Sequence, residues 1–132
     1  MGNEMKVYQY ENEINKKILG LEKQVSLGLW IQVAGNILEL TGLLGLQHLE
    51  EDANPKGEQQ ILTGVWAKTI GQILEAISVS RQIGETDKTK LIEEQKVAIA
   101  GDFLVSLGSA IEVIGGLQVL EEELVKTSRL VP

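Results

Sequence analysis

No cysteine occurs in the 132 residues, so neither a disulfide nor a thiolate-bound metal can hold the chain, and its stability has to come from packing. Histidine is reduced to His48. That excludes a zinc site built from several His or Cys ligands, and a di-iron site built from two Glu-x-x-His pairs. Basic clusters are also lacking: 12 Lys and Arg face 19 Asp and Glu, for a formal charge of -7. Affinity for phosphate backbones needs grouped cations, so no nucleic acid is expected as a partner. The densest group, Lys16, Lys17 and Lys23, reads as a solvated helix face. No serine stands in a G-x-S-x-G elbow or an S-x-x-K pair, and Gly115-Gly116 and Gly42-x-x-Gly45 lack the Lys-Ser/Thr of a phosphate loop. No catalytic, cofactor-binding or metal residue is therefore assigned, no small-molecule substrate is identified, and the chain is expected not to be an enzyme. Met1 to Lys6 carry no basic segment followed by an apolar core, so the chain is expected to be cytoplasmic.

What is present is a repeat. Small residues fall every seventh position in three successive segments: Gly28, Gly35, Gly42; Gly64, Gly71, Ser78; Gly101, Gly108, Gly115. An aromatic follows the first of each set by two (Trp30, Trp66, Phe103), and a glutamate follows the second by four (Glu39, Glu75, Glu112). The segments recur every 36 to 37 residues, as the steps from Gly28 to Gly64 and on to Gly101 show. Self-similarity of this kind marks a chain built by stacking one supersecondary unit. The repeats cover about 24–57, 58–87 and 88–126 within one domain, 1–132.

Prolines are confined to Pro55 and Pro132, and apolar residues fall at helical rather than alternating spacing, so no strand is expected. Asn54-Pro55 suits a helix start, and Gly84 suits a left-handed helix end with Thr86 or Asp87 capping the next helix. Three helices follow: about Glu4 to Glu50, with Gly20 a possible kink; from Pro55; and Lys88 to Lys126. The expected fold is all-α, an antiparallel bundle of three glycine-stripe repeats with an N-terminal helical extension.

Glycine inside a helix costs about 1 kcal/mol relative to alanine, so a stripe of them needs an offsetting gain. Seven residues are nearly two turns, which sets the nine small residues on one line per helix where another backbone can approach closely. Those nine are the candidate helix-packing residues, and a leucine at Gly35, Gly71 or Gly108 is expected to force backbones apart. With the stripe at 0°, the aromatics lie near 200° and are expected in the core. The arc from about 40° to 100° is polar, with Gln32, Asn36 and Glu39 in the first repeat, Lys68, Gln72 and Glu75 in the second, and Asp102, Ser109 and Glu112 in the third. Glu39, Glu75 and Glu112 are expected on a solvent edge, paired with groups such as Lys68. Apolar residues span more than half of each helix, which predicts self-association, foremost as a homodimer.

The rival class is a membrane-inserting glycine-zipper protein, since 25–49, 61–83 and 97–120 each have the length of a spanning helix. Charges near the middle of each segment, and acidic flanks without a clear Lys/Arg bias, disfavour it. The pattern Gly28-x-Trp30, Gly35-Asn36-Ile37-Leu38-Glu39, again as Gly71-Gln72-Ile73-Leu74-Glu75, resembles an uncharacterised family of small repetitive all-helical proteins of spore-forming bacteria. The resemblance covers about residues 25–120 and implies helix packing, with no activity or cofactor. Ser78 and Phe103 depart from its strict Gly and Trp. Together these features predict a non-enzymatic structural or protein-interaction module.

Overall fold

The computed structural model describes residues 2–49 and 56–130, with side chains to Lys126. The protein is all-α. Helix α1 runs Gly2–Leu49, α2 Lys56–Gln82 and α3 Lys88–Leu130. α1 is one helix through Gly20, because nothing in its first half breaks the backbone ladder and a lone glycine does not remove a hydrogen bond. The turn after α2 follows the sequence: Gly84 takes φ +68°, where a side chain would be strained, and Asp87 accepts a hydrogen bond from the Thr89 amide at 3.0 Å, capping α3. The expected Asn54–Pro55 start lies outside the described residues, while Gly57 already belongs to α2.

The helices stand in an open row. α2 packs antiparallel against both neighbours, and α1 and α3 share no backbone packing among the described residues. Of these two seams, α2 with α3 is the tighter, for reasons of side-chain size given below.

Against α2, α1 turns Leu19, Glu22, Ser26, Leu29, Val33, Asn36, Leu40, Leu43 and Gln47, at alternating spacings of three and four. Ser26, Val33 and Leu40 are the buried members. α2 answers with Val65, Thr69, Gln72 and Ala76, all buried, which are the repeat equivalents of Leu29, Val33, Asn36 and Leu40. The seam is thus formed by one repeat face meeting its own equivalent. Ser80 ties its end: its hydroxyl donates to the Ala76 carbonyl (2.7 Å) and accepts from Trp30 Nε1 (2.9 Å), with Ser26 Oγ also 2.7 Å away.

One sequence expectation is overturned here. Trp30, Trp66 and Phe103, expected in the core, are 41%, 45% and 68% exposed. Lying near 200° from the stripe, Trp66 and Phe103 point away from the packing faces, the second of which is at about 100–140°, while Trp30 reaches the α1–α2 seam with its Nε1. α2 also encloses polar groups between α1 and α3: Gln72 is 4% exposed and Thr69 3%. Between the helices polar Thr69 and Gln72 sit beside apolar Val33, Leu40, Val65 and Ala76, while many large apolar side chains lie outside.

Candidate functional site: the glycine face and its ion cluster

The nine packing candidates divide into two sets. In α2 and α3 the stripes meet head to tail, Gly57 against Gly115, Gly64 against Gly108 and Gly71 against Gly101. A Cβ on Gly71 would stand 2.5 Å from the Gly101 carbonyl oxygen, and one on Gly101 2.6 Å from that of Gly71. Ser78 closes the series, fully buried, donating its hydroxyl to the Glu94 carbonyl and lying 3.2 Å from the Glu94 carboxylate. Its size still permits close approach, and its hydroxyl satisfies itself across the seam. An approximate two-fold relates the repeats at Gly64–Gly108 and Gly71–Gly101, the first stripe glycine of one meeting the second of the other.

In α1 the same stripe meets nothing. Among the described residues, no atom lies within 4 Å of a Cβ built on Gly28, Gly35 or Gly42. A leucine at Gly35 therefore forces no backbones apart within one chain, unlike at Gly71 and Gly108. α1 reaches α2 through its other face, about 120° round the helix, so its glycine face is left pointing outward.

Two of the repeated glutamates join a charged cluster that spans all three helices. Lys68 Nζ is 3.3 Å from Glu39 of α1 and 3.1 Å from Glu112 of α3. Burial opposes its charge, but hydrogen bonding and attraction from Glu112, then Glu39, outweigh that and hold its pKa above the ordinary lysine value. The expected pairing with Lys68 is present for these two glutamates. Glu75 differs: the two-fold that carries Glu112 onto Glu75 carries Lys68 onto Val105, so no cation stands there. Burial first, and the charge of Asp102 second, push its carboxyl above the usual range.

Ser26, Ser80 and Glu94 are seam residues that no motif in the sequence marks. Their signal is their spacing from the stripe, which acquires meaning only once the helix order is known. Among the described residues, no group of three or more His, Asp or Glu is gathered to hold a metal ion. The cleft where the three helices meet near the turn, lined by Glu22, Val25, Val79, Gln82, Ile83, Leu91 and Gln95, pairs no nucleophile with a base. No family model, curated protein or solved structure matches the chain.

Proposed function

We propose that the protein is a non-enzymatic helix-assembly module of the cytoplasm, acting through contact between repeat faces as a homodimer. One observation carries this reading: the face that joins α2 to α3 at backbone distance recurs on α1 with no partner. Exposed apolar residues support it, among them Ile31 (63%), Leu38 (75%), Phe103 (68%) and Ile99 (70%), more than a monomeric soluble surface normally carries. Sedimentation equilibrium at micromolar concentration tests the reading. A mass of twice 14.5 kDa supports it, and a species of 14.5 kDa at every concentration overturns it.

A second reading, insertion into a membrane, is favoured by the large apolar side chains left on the outer surface. α1 and α3 are each long and apolar enough to cross a bilayer. The outward apolar stretch of α1, 25–46, is about 33 Å long, close to the hydrocarbon thickness. Charges that count against insertion when taken singly are in part paired inward, Lys68 with Glu39 and Glu112. The antiparallel order also collects Lys6, Lys16, Lys17, Lys23, Arg81, Lys88, Lys90 and Lys96 at one end, against Lys56, Lys126 and Arg129 at the other, a bias hidden when the flanks are taken one by one. Retention of the chain in carbonate-washed membranes would support this second reading, and its full release would sink it.

A further inference from the structure

We infer that the glycine face of α1 is the docking surface for α1 of a second copy, antiparallel, with the two-fold axis passing between Ile31 and Gln32. This deepens the assembly reading and rests on it. The α2–α3 seam shows what the face binds: an equivalent face, reversed, with the first stripe glycine of one helix against the second of the other. Applied to α1, that rule sets Gly28 against the partner's Gly35 and Gly35 against the partner's Gly28.

The neighbours of the stripe fit the same geometry. In the paired helices Leu104 lies over Gly71 and Leu74 over Gly101: a Cβ built on Gly71 would stand 3.0 Å from the Leu104 Cβ, and one built on Gly101 3.3 Å from that of Leu74. Their equivalents on α1 are Ile31 and Leu38, which are 63% and 75% exposed. In the proposed register they cover the partner's Gly35 and the partner's Gly28. The position of Lys68 is taken in α1 by Gln32, and that of Glu112 by Glu39, so each Gln32 amide meets the partner's Glu39 carboxylate as a donor to a charged acceptor. The two Glu39 side chains stand about 22 Å apart along the axis, and no like charges are brought together. Among the described residues the glycine faces of α2 and α3 occupy each other and so do not compete. The contact is isologous and closes on itself, extending the row from three helices to six.

The chain's lack of cysteine makes the test direct. Gln32→Cys, nearest the axis, should form a disulfide-linked dimer on mild oxidation. Ile37→Cys, exposed on the far side of α1, should not. Gly35→Leu should keep the helicity and unfolding midpoint of the parent, since its Cβ meets nothing in the chain, while raising the dimer dissociation constant about 10- to 100-fold. A Gly35→Leu chain that dimerises as tightly as the parent would overturn the inference and leave the assembly reading standing. Cross-linking through Gly35→Cys without cross-linking through Gln32→Cys would overturn it through the register. A parent that stays at 14.5 kDa would overturn both. Sedimentation and oxidation in detergent micelles should give the same ordering.

Discussion

Gly64 and Gly108 face each other so closely that a methyl group on either would stand 2.5 Å from the other's carbonyl oxygen. The obstruction on each side is backbone, which cannot swing aside as a side chain can. The seam therefore requires glycine at both positions, and this requirement explains why residues so unfavourable to helices recur at a fixed interval.

Replacing Gly64 or Gly71 by alanine should accordingly destabilise the protein by about 1–3 kcal/mol, the clash exceeding the gain in helix propensity. Gly20→Ala, where nothing lies within 4 Å, should instead stabilise it by about 0.5–1 kcal/mol. Urea denaturation compares the two. Equal effects at Gly20 and Gly71 would defeat the close-packing account.

Lys68→Met leaves the Glu39 and Glu112 carboxylates facing one another without their cation, with Glu112 only 21% exposed. A loss of about 1–2 kcal/mol at neutral pH is expected, after allowance for screening of the more exposed Glu39. The loss should shrink in the double variant Lys68→Met with Glu112→Gln, because the carboxylate left without a partner is then gone. A double variant no more stable than the single one would show that the ion cluster is not what Lys68 contributes.

The helix content, the break at Gly84 and the stripe were legible in the sequence because each depends on local rules: 3.6-residue periodicity, the need for positive φ, and the cost of glycine within a helix. Which side of each helix faces inward was not. Apolar periodicity points an inner face only when water is outside and the core is apolar, and here Gln72 and Thr69 lie between helices while Trp66 and Phe103 lie outside. The glycine stripe is alike in all three repeats, yet α1 turns a different face to α2. Sequence equivalence fixes which faces are alike; the order in which they find partners is a property of the whole row. The same limit applied to the lysine cluster, since Glu39, Lys68 and Glu112 come together only when both seams are set.

Gln72 is a weak point in the α1–α2 seam: it is 4% exposed and its side-chain nitrogen has no hydrogen-bond partner. A buried donor without an acceptor costs about 1–3 kcal/mol. Gln72→Met, similar in length and without the donor, should raise stability by about 1 kcal/mol in thermal or urea unfolding. A fall in stability of that size would mean the carboxamide is satisfied in solution.

Glu75 offers the sharpest test of the repeat symmetry, because Val105 stands where the equivalent Glu112 has Lys68. Its pKa is raised in the folded chain, from burial and from Asp102, so folding favours the protonated form. The contribution to stability is complete below the ordinary value of 4.5 and is lost as pH rises through the higher folded value. At neutral pH the ionised carboxylate therefore weakens the fold. Glu75→Gln should melt about 1–3 °C above the parent at pH 7, a modest margin because the group is partly solvated, and the gap should close as pH falls below 4.5. Val105→Lys supplies the missing cation and should lower the Glu75 pKa, as carbon-detected NMR titration of the carboxyl would report. If Val105→Lys leaves that titration unmoved, the two-fold relation between α2 and α3 does not extend from the glycines to the charges.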